Sequence, residues 1–111
     1  MNYRFYYPEW NSRKEVCKKY PQIKEITREP TSFWYGVGPK RTIRKTKKSI
    51  QRLLKRADPY LPILVIYSIP YRDLGHHSKG GAGSDKEYLQ FIRGFCDAIG
   101  DRSPIVIYEP D

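Results

Sequence analysis

The stretch that decides the fold, residues 62–70, reads Pro62-Ile63-Leu64-Val65-Ile66-Tyr67-Ser68-Ile69-Pro70. Its apolar run lies between two prolines and predicts a strand over residues 61–69. An unbroken apolar run, without the polar alternation of a half-exposed strand, is typical of a parallel strand that is buried on both faces. The chain on either side should then supply the other strands of a parallel sheet and the helices that cover it.

Strand-like and helix-like patterns alternate along the rest of the chain. Further strands are predicted at residues 4–7, 32–35 and 104–108, and helices at 13–29 (split near Pro21), 41–57 and 85–99. Ser84 and Glu87 fit a capping box at the start of the last helix. The order β-α-β-α-β-α-β predicts one α/β domain with a four-stranded parallel sheet and right-handed crossovers.

Length and composition bound the class of protein. With 111 residues, 39% of them hydrophobic, the chain has room for one modest domain with its own core. No apolar run approaches the roughly 20 residues of a membrane span, and the first residues lack the apolar segment of a secretory signal. The two cysteines, Cys17 and Cys96, do not make a disulfide framework or a metal site. Cys96 falls within a helical apolar pattern, which predicts a buried thiol.

The basic residues are concentrated in one helix. The net charge is +9, and residues 40–56 contain nine Lys or Arg and no acid. Such a segment fits either the solvated outer face of a helix or a basic α/β module that binds nucleic acid or another polyanion. The apolar stripe of the helix and the absence of a base-stacking motif favour the solvated face. Nucleic acid remains the alternative partner.

Acidic residues follow two of the predicted strands. Arg72 and Asp73 come just after the third strand, and Asp111 comes just after the fourth. Neighbouring parallel strands lie about 4.8 Å apart and end at one edge, so the two carboxyl groups should come within roughly 10 Å of each other. Two acids that close tend to share a proton, and a protonated carboxyl can donate to a leaving oxygen. A simple ion pair between Arg72 and Asp73 is the plainer alternative.

Two other motifs are weak. Gly36-Val37-Gly38 follows a strand and precedes a helix, but Arg41 occupies the third glycine position of a dinucleotide fingerprint. His76 and His77 lack a third metal ligand. We therefore predict no cofactor and no metal.

Several motifs resemble glycoside hydrolase family 6. They are Tyr-Ser-Ile-Pro-Tyr-Arg-Asp at 67–73, Ser78 with Gly-Gly-Ala at 80–82, Gly-Asp-Arg at 100–102 and Ile-Tyr-Glu-Pro-Asp at 107–111. A fainter similarity reaches back through residues 33–36 to 5–6. The family consists of inverting cellulases, both endoglucanases and cellobiohydrolases, which cut β-1,4-glucan within a distorted β/α barrel. The resemblance implies that residues 1–111 are part of such a barrel, truncated after the fourth strand.

The resemblance also implies roles for individual residues. Asp111 matches the general acid, and Asp73 matches the acid that controls its protonation. Tyr67 matches the tyrosine near the reacting sugar ring, and Ser78 matches the serine that helps to position the attacking water. Trp34 matches the tryptophan on which a sugar stacks, and Arg72 is expected to bind the substrate. An inverting glycosidase needs a protonated carboxyl on one side of the bond and a water activated across about 6.5–9.5 Å on the other.

The implied substrate is β-1,4-glucan or a cello-oligosaccharide, without a cofactor and without a membrane. Family members are secreted, although this chain shows no signal peptide. Their catalytic domain continues past the position of Asp111, so we expect the chain alone to be inactive. We also expect its last strand to present an unpaired apolar edge.

Overall fold

The computed structural model describes residues 4–8, 11–38, 41–71 and 80–111. Within these ranges the elements are α1 (Asn11–Lys19), a 3-10 helix (Pro21–Ile23), α2 (Lys24–Thr27), β1 (Ser32–Tyr35), α3 (Ile43–Ala57), β2 (Ile63–Ile66), α4 (Asp85–Ile99) and β3 (Ile105–Tyr108). The strands form one sheet in the order β1-β2-β3, and both pairings are parallel. The predicted parallel α/β fold is confirmed.

The three strands end level with one another. Tyr35 at the end of β1 pairs with Ile66 at the end of β2, which pairs with Tyr108 at the end of β3. Because the strands are parallel, the residues that follow them emerge at the same edge of the sheet. This carboxyl edge is where ligands bind in folds of this type.

The predicted first strand is an exception. Residues 4–7 form no regular strand, and Phe5 makes an isolated parallel bridge to Leu61. Two backbone hydrogen bonds support the bridge, from the N–H of Tyr6 to the carbonyl of Leu61 at 2.8 Å and from the N–H of Leu61 to the carbonyl of Arg4 at 2.9 Å. Pro8 follows at once and has no N–H to continue the pairing. The predicted four-stranded sheet therefore has three strands in the described ranges.

The start of helix α4 forms one of the two hydrogen bonds of the predicted capping box. The hydroxyl oxygen of Ser84 accepts from the N–H of Glu87 at 3.1 Å, as predicted. The carboxylate of Glu87, however, accepts from the N–H of Gly83 at 2.8 Å, one residue before the expected donor. Both bonds satisfy N–H groups at the helix start, which would otherwise lack partners.

Helices α3 and α4 pack against each other over one face of the sheet. Their most buried side chains include Ile50 at 0% and Phe91 at 1% exposure, which meet Leu64 of β2 in the core. A methyl group at Gly94 would lie 3.1 Å from Cγ2 of Ile43, so the small residue permits the close approach of the two helices. The predicted burial of Cys96 is wrong, because this residue is exposed.

The last strand is open to solvent. All four residues of β3 are exposed, from 39% for Ile105 to 55% for Tyr108, and within the described ranges the strand pairs with β2 alone. Its exposed apolar residues agree with the predicted unpaired edge. No helix in the part of the chain that the structure describes is long and apolar enough to cross a membrane.

Candidate active site

Three of the predicted site residues meet at the carboxyl edge of the sheet. The hydroxyl of Tyr67, just after β2, donates to Oδ2 of Asp111 at 3.3 Å. The ring of Tyr67 meets that of Trp34 edge to face, with 5.8 Å between the ring centroids and an interplanar angle of 90°. The aligned ends of β1, β2 and β3 thus place an indole, a phenol and a carboxyl group in a row.

Trp34 presents an open ring surface. Its side chain is 56% exposed, whereas Tyr35 is 7% exposed, because successive residues of a strand point to opposite faces of the sheet. The indole Nε1–H donates to Oγ of Ser32 at 3.1 Å, which restrains the ring. An exposed, restrained aromatic ring, in contact with the tyrosine that binds the Asp111 carboxyl, offers a flat surface for the apolar face of a sugar.

Half of the predicted site cannot be placed. Arg72, Asp73 and Ser78 lie outside the described residues, as do His76 and His77. The distance from Asp73 to Asp111 and the roles of Arg72 and Ser78 therefore stay predictions.

Glu109 is a site residue to which sequence reasoning assigned no role. Its carboxylate accepts from the N–H of Ser68 at 2.9 and 3.1 Å and from the N–H of Ile69 at 3.3 Å. The hydroxyl of Tyr88 on α4 donates to it at 3.1 Å. One side chain therefore connects the ends of β2 and β3 with α4. A carboxylate two residues before Asp111, in a motif already singled out, was the available signal.

Tyr88 is a hydrogen-bond donor in this cluster. Burial raises the pKa of Tyr88 well above its usual value, and its hydrogen bonds to Tyr108 and Glu109 act in the same direction. The phenol therefore keeps its proton across the neutral range and donates a hydrogen bond to Glu109. The hydroxyl of Tyr108 also contacts that of Tyr88.

The chain passes Ser68 just after β2 and comes back to the same residue at Ala82. The carbonyl of Ser68 accepts from the N–H of Ala82 at 3.0 Å. Gly81 has a φ of 92°, and a Cβ there would lie 2.0 Å from the carbonyl oxygen of Ile69. Glycine is required for both the dihedral angle and the close approach. The segment that contains Asp73 thus begins and ends against the residues that Glu109 holds.

Ser68 also fixes the end of β1. Its side chain is fully buried, and its Oγ accepts from the N–H of Val37 at 3.0 Å. We expect Ser68→Ala to lower the free energy of unfolding by about 2 kcal/mol, because the buried N–H of Val37 loses its acceptor. Urea denaturation measures the change, and Ser103→Ala on the exposed surface is the control. Equal stability of the two variants would contradict the prediction.

A parallel α/β sheet with this row at its carboxyl edge is the arrangement of a ligand-binding or catalytic domain. The comparisons with known proteins narrow that class. The chain belongs to the family described as Glycosyl hydrolases family 6, whose model matches residues 8–111.

Curated relatives are endoglucanases. Endoglucanase 1 of Streptomyces sp. (strain KSM-9) is 34% identical over 93 residues, which cover 82% of this chain and 26% of the relative. Endoglucanase A of Cellulomonas fimi is 33% identical over 89 residues, which cover 80% of this chain and 19% of the relative. The chain therefore spans about a quarter or less of the length of these relatives.

A solved structure shares the fold. The endoglucanase Cel6 from Mycobacterium tuberculosis matches 99% of this chain with a TM-score of 0.81 and 21% sequence identity, over 39% of its own length. That enzyme was solved in complex with methyl-cellobiosyl-4-deoxy-4-thio-β-D-cellobioside. At this identity the match supports the fold, and the site must be argued from the residues of this chain.

Proposed function

We propose that this chain carries the general-acid side of the active site of an inverting cellulase-type glycosidase. The observation that carries the proposal is the hydrogen bond from Tyr67 to Asp111 beside the exposed ring of Trp34. The family and the endoglucanase relatives agree with hydrolysis of β-1,4-glucan. Because the chain spans 26% of the first relative, the activity and secretion of the whole protein are parts of the proposal.

Asp111 acts as the proton donor. When the glycosidic bond breaks, the leaving oxygen takes the proton of the Asp111 carboxyl, and the carboxyl becomes an anion. The hydroxyl of Tyr67, which donates to Oδ2, strengthens as a hydrogen-bond donor to that anion. The other oxygen, Oδ1, is left to carry the proton that is donated. Tyr67 therefore both orients the acid and stabilises the charge that develops on it.

The remaining roles rest on the family resemblance. Asp73 keeps Asp111 protonated through the mutual repulsion of two close carboxylates, Ser78 positions the attacking water, and Arg72 binds the substrate. Glu109 acts as a positioning residue, because it holds the backbone of Ser68 and Ile69 from which the segment with Asp73 departs. None of these roles needs a cofactor.

Trp34→Ala tests substrate binding by this chain. We expect the dissociation constant for cellohexaose to rise about 30-fold, since loss of the stacking surface removes about 2 kcal/mol of apolar contact. Isothermal titration calorimetry measures it. Tyr60→Ala is the control, because Tyr60 is a similarly exposed aromatic, 47% against 56%, and precedes β2 at the opposite edge of the sheet.

Two outcomes would contradict the proposal. If the unaltered chain showed no affinity for cellohexaose but bound polyanions in a salt-dependent manner, the basic binding module would be favoured instead. If Trp34→Ala and Tyr60→Ala weakened binding equally, the sugar platform would not be at Trp34.

A further inference from the structure

A cavity lies on the other face of the sheet from Trp34. It has a volume of about 270 Å³, between α3 and β1, and is lined by Phe33, Tyr35, Ser49, Arg52, Leu53 and Arg56. All these residues are within the described ranges. The volume is close to the lower end of small-molecule sites, about 300 Å³. The function proposed above makes no use of this cavity.

The two arginines of the cavity have no acidic partner in the described part of the chain. Ser49, Arg52 and Arg56 recur at helical spacing, so they line one side of α3. Within the described ranges, the ion pair of α3 is that between Lys47 and Asp97 at 3.8 Å, and no carboxylate meets either arginine of the cavity. Arg52 commits Nε to the carbonyl of Lys48 at 3.4 Å, which leaves its terminal nitrogens available to a ligand.

The floor of the cavity supplies hydroxyl groups. Tyr35 is 7% exposed. Burial raises the pKa of Tyr35, while its hydrogen bond to Ser49 and the charges of Arg41 and Arg56 act in the opposite direction. The phenol is therefore neutral at physiological pH, and the positive charge of Arg56 lies near enough to influence it. A ligand would meet two guanidinium groups and two hydroxyl groups, with the ring of Phe33 at one side.

We propose that this cavity binds an oxyanion carried on a sugar-sized body, as in a hexose phosphate or a hexuronate. Guanidinium groups match the paired oxygens of phosphates and carboxylates, and no internal acid competes for them in the described ranges. Hydroxyl groups of the ligand would pair with Ser49 and Tyr35. The volume of about 270 Å³ leaves room for a body attached to the oxyanion.

Titrations of the full chain monitored by ¹H–¹⁵N spectra test the proposal. Glucose 6-phosphate or glucuronate should produce saturable shifts centred on the amides of Tyr35, Ser49, Arg52 and Arg56, with a dissociation constant of about 1 mM. The ligand that binds more tightly shows whether the site prefers a phosphate or a carboxylate. Glucose should produce no such shifts, and inorganic phosphate should bind at least fivefold more weakly. Equal binding of glucose, or of free phosphate, would overturn the proposal.

A matched pair of variants separates a defined site from general attraction to a basic helix. Arg52→Gln with Arg56→Gln should weaken binding at least tenfold. Lys45→Gln with Lys48→Gln removes the same charge from the exposed surface of α3 and should change binding less than twofold. Equal loss in the two double variants, or no loss in the arginine variant, would contradict the site. The ¹H–¹⁵N spectra of both double variants test whether they keep the fold. Trp34→Ala should bind the oxyanion ligand as tightly as the unaltered chain, whether or not the glycosidase proposal holds.

Discussion

Asp111→Asn is expected to lower the turnover of β-1,4-glucan by about 1,000-fold, because an amide has no acidic proton to give to the leaving oxygen. Asparagine keeps the shape of the side chain and an oxygen that accepts from the hydroxyl of Tyr67. Substrate binding should therefore be nearly unchanged, and the loss should appear in kcat. Of the changes considered, this one has the largest expected effect on activity.

The measurement needs the rest of a catalytic domain, since the chain spans 26% of the length of Endoglucanase 1 of Streptomyces sp.. We would replace the matching segment of that enzyme with residues 8–111 and compare kcat with and without Asp111→Asn. Asp97→Asn, an exposed acid of α4, is the control and should retain activity within twofold.

The leaving group supplies a second readout. A dinitrophenyl leaving group needs little protonation, so the variant should lose much less activity on a dinitrophenyl cello-oligosaccharide than on cellohexaose. Equal losses on both substrates, or retention of more than a tenth of the activity on cellohexaose, would rule out Asp111 as the proton donor.

Glu109→Ala should lower the free energy of unfolding of this chain by about 3 kcal/mol, because it removes charge-assisted hydrogen bonds and leaves two N–H groups without their acceptor. Those groups belong to Ser68 and Ile69. Chemical denaturation measures the change. Tyr88→Phe, which removes one donor to Glu109, should cost about 1 kcal/mol.

Glu29→Ala is the control for this series, because Glu29 is exposed after α2 and should change stability by less than about 0.5 kcal/mol. Amide hydrogen exchange provides a local test. In Glu109→Ala the amides of Ser68 and Ile69 should exchange faster relative to those within β2. If the two glutamate variants were equally stable, the carboxylate would not hold the end of β2.

Local signals were sufficient to predict most of the fold. Residues 32–35 form the strand with the predicted bounds, because an aromatic run ends there at a glycine. At Gly36 a Cβ would lie 2.6 Å from the carbonyl oxygen of Tyr67, so the close approach requires glycine. The extent of pairing at residues 4–7 was not predictable in the same way. It depends on how far Phe5 and its neighbours can follow Leu61 before Pro8, which is a property of the assembled sheet.

The site was predictable where it depends on strand direction and hidden where it depends on unpaired backbone groups. Parallel strands bring the residues that follow β2 and β3 to one edge, where Tyr67 contacts Asp111. The predicted approach of Asp73 to Asp111 stays a prediction. The motif at 107–111 contains the Glu109 carboxylate, but it does not show that the N–H groups beyond β2 lack partners and bind it. The exposed position of Cys96 shows the same limit, because an apolar pattern does not tell which side of a helix meets a neighbour.

The hydrogen bond from the N–H of Ala82 to the carbonyl of Ser68 joins the chain on either side of the segment with Asp73. Doubling the length of chain between two such anchors adds only about 0.6 kcal/mol to the entropic cost of bringing them together, so insertions between these two residues would be tolerated energetically. Evolution could then change the length and composition of the segment with Asp73 while the sheet stayed as it is. Variation in cleavage specificity among related chains should accordingly concentrate between these two anchor points.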